Sequence, residues 1–293
     1  MCGAPYVRCH SEQSEESGSE TGRLTTRYIK DCISLNSEHD YPLLRQVLRS
    51  GFVTHDQLFE FMQLGQHESN RSTFNWRVRR LTMYGLIARH TVPSVSKAFV
   101  YSITSAGEFA LASTGEQFLI TPAKPGRNEK ELQVAHSLEL SNIHLSLLRA
   151  GLLVQWVPEP QVRSRNATMG VVNGKVYDAI VTVRLNDCDA TFALEYERTA
   201  KSEEQYADVL NKFDSEKNLD RFLYLASTED VLRLVPWQFR NSKRYVCFGL
   251  LSDWYRHLLD TDVFDWTGHQ YRPFRTAIID STHPAQVSAA VLS

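Results

Sequence analysis

A chain of 293 residues, 42% hydrophobic and 23% charged, has the length of two domains plus tails and the composition of an ordinary globular protein. No apolar run approaches the ~20 residues a membrane span needs. The start, Met1-Cys2-Gly3-Ala4 leading into acidic Ser/Glu sequence, has neither the basic opening nor the apolar stretch of a secretory signal. The expectation is a cytoplasmic protein with no membrane partner. Five scattered cysteines (Cys2, Cys9, Cys32, Cys188, Cys247) without a CxxC pair argue against a disulfide framework or zinc knuckle and predict reduced thiols. The net charge of −2 is uneven: residues 1–40 hold four Lys/Arg against seven Asp/Glu, residues 41–115 eight against four, and the remainder twenty against twenty-three. Only the middle segment is basic, the footprint of phosphate contact by one small module.

In chain order, residues 11–20 (Ser-Glu-Gln-Ser-Glu-Glu-Ser-Gly-Ser-Glu) have nothing to bury and predict disorder, so residues 1–39 are read as an acidic tail. Pro42 opens a first helix with Leu44, Val47 and Leu48 on one stripe, closed by Gly51. Thr54 and Gln57 form a capping box for a second helix that reaches about Leu64. A polar turn, Gly65 to Asn70, precedes a third helix from about Ser72 to Tyr84, closed by Gly85. Leu86 to Val92 and Ala98 to Ile103 then read as two strands around the turn Pro93 to Lys97. Ser105-Ala106-Gly107-Glu108 reads as the capping box of a further helix through Ala112. Helix, helix, helix, strand, strand, helix is the plan of a winged helix-turn-helix, placed at residues 40–114.

Residues 115–131 read as a linker. A second domain, residues 132–260, starts with an amphipathic helix, Val134 to Leu152. Strand patterns follow at Val154 to Val162, at Lys175 to Leu185 after an Asn173-Gly174 hairpin turn, and at Thr191 to Arg198. A helix (Ser202 to Leu219), a strand (Arg221 to Ala226), a helix (Thr228 to Phe239) and a strand (Arg244 to Leu251) complete an α/β sandwich around a mixed sheet. Residues 261–293 carry no firm periodicity and read as an extension. The fold class is α+β: a winged helix-turn-helix followed by this sandwich.

On a 100° wheel the third helix gathers Phe74, Val78, Leu81 and Gly85 on the packed side. Thr73, Trp76, Arg77, Arg79, Arg80 and Met83 fall on the remaining arc. Arg71, Thr73, Asn75, Arg77, Arg79 and Arg80, with Arg89 and Lys97 on the wing, are therefore the expected DNA contacts. Arg can bond guanine bidentately, Asn can read adenine, and the other groups hold phosphates of double-stranded DNA.

In the second domain, Phe192, Leu194 and Tyr196 point to one face of their strand, and Ala193, Glu195 and Glu197 to the other. Asp178 lies in the apolar setting Val176-Tyr177-Asp178-Ala179-Ile180-Val181, where a carboxylate is costly unless something uses it. The midpoint between positions 178 and 195 falls inside the turn Asn186-Asp187-Cys188-Asp189, so a simple hairpin sets Asp178 opposite Glu195. Such neighbours lie ~5 Å apart at Cβ, close enough to share one divalent cation. The histidines are dispersed. His136 and His144, eight apart, are too far to form a local metal pair and read as packing or surface residues. No Walker loop, GxGxxG, GxSxG or HExxH pattern is present.

These residues resemble a family. Helix, strand, strand with Asp178, strand with Glu195-Tyr196-Glu197, helix is similar to the core of the PD-(D/E)xK nuclease superfamily. The chain over roughly residues 40–250, including His136-Ser137-Leu138-Glu139 and Glu195-Tyr196-Glu197-Arg198-Thr199, resembles the bacterial and plasmid replication-relaxation proteins. The resemblance implies Mg²⁺ on Asp178 and Glu195, with Glu139 as an outer ligand, polarising a scissile phosphate and supplying hydroxide. Glu197 stands where the superfamily usually has Lys, Lys201 is the candidate for the missing charge, and Tyr177 replaces the proline. Three functions follow. One is DNA binding in plasmid or mobile-element replication or mobilisation, with a replication or mobilisation protein as a further partner. The second is a magnesium-dependent DNA endonuclease targeted by its winged helix. The third is a transcriptional regulator whose second domain makes a homodimer.

Overall fold

The computed structural model describes residues 6–8, 32–92, 99–115, 127–168, 175–215, 219–242, 244–268 and 270–279. Four expectations lie outside them: the disorder of residues 11–20, the turn Pro93 to Lys97 with Lys97 itself, most of the linker, and the Asn173-Gly174 turn. The chain divides into two compact units, Met1–Gln117 and Phe118–Ser293. Among the described residues no helix is long and apolar enough to cross a membrane.

In the first unit β1 (Tyr6–Arg8) pairs antiparallel with β2 (Cys32–Ser34). Ile33 and Leu35 are buried, so the end of the supposed tail belongs to the fold. Then come α1 (Asp40–Ser50), β3 (Val53–Thr54), α2 (His55–Leu64), α3 (Arg71–Met83), β4 (Ile87–Thr91), β5 (Phe99–Ile103) and α4 (Ser105–Ala112). The order of helices and hairpin is the expected one, with β3 added as a third strand in the order β3-β5-β4. Local chemistry explains the boundaries. Thr54 and Gln57 cap each other reciprocally at the start of α2. The Asn70 side chain accepts from Ser72 N and Thr73 N at the start of α3. Gly85 takes φ 69° where the chain leaves α3, a left-handed conformation that costs glycine little. For α4 the cap is Thr104, accepting from Gly107 N, one residue before the expected Ser105. Leu43, Leu44, Val47, Val53, Leu58, Phe74, Leu81 and Val100 form a buried centre.

The second unit comprises α5 (Arg127–Arg149), β6 (Leu153–Pro158), α6 (Glu159–Thr168), β7 (Ala179–Leu185), β8 (Cys188–Glu197), α7 (Glu203–Asp214), β9 (Phe222–Ala226), α8 (Glu229–Gln238), β10 (Val246–Leu250), α9 (Leu251–His257), β11 (Asp262–Phe264), β12 (Gln270–Pro273) and α10 (Phe274–Ile279). Its seven-stranded mixed sheet has the order β12-β11-β10-β9-β8-β7-β6. Strands β8, β9 and β10 are parallel and the other pairs antiparallel. One face packs Ile143 and Leu147 of α5, Leu251 and Trp254 of α9, and Phe274 and Ile278 of α10 against Val181, Phe192, Leu194 and Leu223. The other packs Tyr206 and Phe213 of α7 and Val231 and Val235 of α8 against Ala193, Phe222, Tyr224 and Phe248. The mixed α/β sandwich is thus as expected.

Several boundaries differ from expectation. The strand expected from Lys175 begins at Ala179, and the helix expected to reach Leu219 ends at Asp214. Helix α5 begins at Arg127, inside the assigned linker. The strand expected to run to Val162 ends at Pro158, and α6 follows with Pro160 in its first turn, where the missing N–H costs nothing. Residues beyond Asp260 are not an appendage: β11 and β12 extend the sheet, and Phe274 and Ile278 are core.

Candidate functional site

Two clusters of charged side chains stand out, one in each unit. In the first unit Arg71, Thr73, Asn75, Trp76, Arg79 and Met83 project from the exposed side of α3. A hollow between α3 and the β4–β5 hairpin is lined by Arg71, Asn75, Arg79, Met83, Arg89 and Phe99, among others. Arg79 has no ion-pair partner among the described residues, whereas Arg71 pairs with Asp56. Arg89, itself exposed, lies over the half-exposed Phe99 ring, 4.5 Å from its centroid. Asn75 Oδ1 bonds His55 Nε2 at 2.8 Å.

Arg77 and Arg80 depart from the wheel. Arg77 is 7% exposed and its Nη1 donates to Asp40 Oδ1 at 2.7 Å, with Glu68 Oε2 at 3.5 Å from Nη2. Arg80 pairs with Asp40 Oδ2 and donates to Ser34 O at 3.1 Å. The Asp40 carboxylate, 0% exposed, also accepts from Asn36 N at 2.7 Å. Two of the four expected helix arginines therefore hold the first unit together. The wheel placed Arg77 on the outer arc because its partner lies 37 residues earlier and leaves no local signal. Trp76, which sits awkwardly on an outer face, has the Arg80 guanidinium 5.0 Å from its ring centroid.

In the second unit the β7–β8 register pairs Ala179 with Leu194 through Leu185 with Cys188, across a tight turn where Asn186 takes φ 53°. Continued one step, that register sets Asp178 opposite Glu195, as the sequence implied. Glu195 and Glu197 are 8% and 5% exposed, so this is no solvated acidic strand face. Each acid meets a nitrogen. Asp178 Oδ1 lies 3.0 Å from His136 Nε2, and Oδ2 accepts from Tyr196 N at 2.8 Å. Lys175 Nζ is 2.6 Å from Glu195 Oε1, both side chains 11% exposed. Lys201 Nζ pairs with Glu197.

The environment sets the protonation states. Burial pushes the Glu195 carboxyl up to about 7, with Asp178 adding to the shift and Lys175 and Lys201 opposing it. Burial acts on Asp178 in the same direction, but His136, Tyr196 N and Lys175 outweigh it and hold its pKa below the usual value. Burial lowers His136, yet Asp178, Glu195 and Glu159 together raise its pKa. Stability depends on pH through each shifted group. An acid whose folded pKa is raised stays protonated in the folded state while the unfolded chain ionises. Glu195 therefore removes stability as pH climbs from 4.5 to about 7. His136 contributes stability below 6.5 that is lost as pH rises through its raised folded pKa. We expect ¹³C-NMR of the Glu195 carboxyl to titrate near pH 7; a midpoint at the ordinary 4.5 contradicts this electrostatic account.

Glu139, expected as an outer metal ligand, is not joined to the other acids: its Oε1 takes Tyr255 OH and, at 3.4 Å, Asn142 Nδ2. Among the described residues no group of three or more His, Cys, Asp or Glu side chains is placed to hold a metal ion. Magnesium prefers near-octahedral oxygen ligation. The cluster offers it two facing carboxylates, with both oxygens of one already bonded and the other paired with a lysine. These residues do not fit a magnesium ion. Sequence reasoning missed Lys175, for which no motif exists, and assigned His136 to packing or surface although it belongs to the cluster. His144 does pack, stacked on Trp156 at 4.4 Å between centroids. Cys188 is exposed and Cys247 buried, and neither is in a disulfide.

No family model matches the chain. No curated protein matches it either. Among solved structures it is similar to one described as restriction endonuclease FokI bound to DNA, at 9% identity and a TM-score of 0.22. The match covers 74% of this chain and 43% of that one, so the chain spans less than half the length of that protein.

Proposed function

We propose that the chain binds double-stranded DNA through a winged helix-turn-helix in its first unit, with α3 as the recognition helix and the β4–β5 hairpin as the wing. The observation that carries this reading is the hollow between the two elements, where Arg71, Arg79 and Arg89 surround exposed Asn75, Met83 and Phe99. Guanidinium groups supply phosphate contacts or bidentate contacts to guanine, and apolar atoms meet thymine methyls. Arg77 and Arg80 leave this reading as direct contacts and enter it as the ion pairs that hold α3 on α1.

The test is the salt dependence of affinity for duplex DNA. Arg79→Ala with Arg89→Ala is expected to weaken binding and to reduce the slope of log K against log salt by ~0.9 for each lost phosphate contact. An unchanged affinity and slope in this folded variant overturns the reading. Arg77→Ala is unsuitable, because it acts on folding.

The second unit is assigned to the PD-(D/E)xK-like sandwiches and the whole chain to a replication-relaxation-like protein, acting on plasmid or mobile-element DNA with a replication or mobilisation partner. The support is the order of elements around Asp178 and Glu195. Binding of duplex DNA without magnesium-dependent nicking supports this reading, and nicking that Asp178→Asn abolishes would overturn it.

A further inference from the structure

We infer that the Lys175 ammonium fills the place a divalent cation would take between Asp178 and Glu195, so that the chain itself balances the charge of this acid pair and magnesium is not bound there. The inference is independent of the DNA-binding reading, since every residue in it belongs to the second unit.

The sequence problem was two acids facing one another across a hairpin in an apolar setting, an arrangement that needs positive charge. In the structure that charge has a source. Lys175, three residues before Asp178, reaches Glu195 Oε1 at 2.6 Å and acts on Asp178 electrostatically as well. The ammonium is held in place: Nζ donates to Val176 O at 3.2 Å and lies 5.4 Å from the centroid of the Tyr177 ring. Asp178 then needs no second cation, since His136 and Tyr196 N occupy its two oxygens. Lys201 meets the neighbouring acid, Glu197, in the same way. A dication placed between Asp178 and Glu195 would have to displace a buried ammonium of like charge and find further oxygen ligands.

Mn²⁺ is the probe, with free ion counted by electron paramagnetic resonance on the full chain and thermal melting followed in parallel. Wild-type protein is expected to leave Mn²⁺ free and to melt at the same temperature with metal or with EDTA. Lys175→Met is expected to melt lower in EDTA, to regain stability with Mn²⁺, and to bind the ion at least about tenfold tighter than wild type, the change expected for ~1.4 kcal/mol. Adding Glu195→Gln should abolish that gain. Mn²⁺ binding by wild type that Asp178→Asn removes overturns the inference, as does a folded Lys175→Met variant that binds no ion. If Lys175→Met does not fold, the wild-type titration decides: an Asp178-dependent site refutes the proposal and an inert one supports it. Loss of duplex binding in the Arg79/Arg89 variant tests the DNA reading separately and leaves this result untouched.

Discussion

Asp40→Ala is expected to destabilise the first unit by about 3–5 kcal/mol, the range for removing one partner from a buried ion pair. The Asp40 carboxylate is 0% exposed and is shared by Arg77 and Arg80 of α3 and by the backbone N–H of Asn36. Without it, Arg77 stays buried with only Glu68 within ion-pair distance, at 3.5 Å. Asp40→Asn keeps the shape and loses the charge, so a similar loss in that variant attributes the effect to the ion pairs. Urea unfolding of the full chain measures it. A change below ~1 kcal/mol, the size for an exposed pair, would mean that this cluster is not buried in solution. Because α3 carries the proposed DNA contacts, duplex binding should fall with unfolding and not before it.

Trp254→Ala should cost the second unit about 3–5 kcal/mol, as for other large core truncations. Trp254 is fully buried, packs near Phe274 with ring centroids 6.5 Å apart, and donates from Nε1 to Ser146 Oγ of α5 at 3.1 Å. It ties α9 and α10 to the first helix of the unit, a link between residues 108 positions apart. Trp254→Phe keeps most of the volume and loses the hydrogen bond, so it is expected to lie between wild type and Ala. A cost under ~1 kcal/mol for Ala would contradict the placement of residues beyond 250 as core.

What the sequence made legible was local. The Thr54–Gln57 box, Gly85 after α3 and the turn at Asn186 are set by residues within a few positions, and the last carries the Asp178–Glu195 register with it. What stayed hidden depended on distant partners. Arg77 turns inward because Asp40 waits in another helix, and Lys175 matters only because the hairpin brings Glu195 beside it. His136 becomes part of the site when the fold brings α5 beside Asp178, 42 residues later. Strands β11 and β12 are three and four residues long, too short for a periodic pattern to emerge. The start of α6 has a local signal: Pro160, two residues after Pro158, suits the first turn of a helix and lacks the N–H that a longer strand would use in its ladder.

On the proposed reading, duplex DNA meets the exposed face of α3 and the hairpin beside it. Titrating a short duplex into isotopically labelled full-length protein and following backbone amide shifts tests it most directly. The largest changes are expected at Arg71, Asn75, Arg79, Arg89 and Phe99, fading as salt is raised. Shifts confined to the second unit, or none at concentrations where DNA is bound, would contradict it.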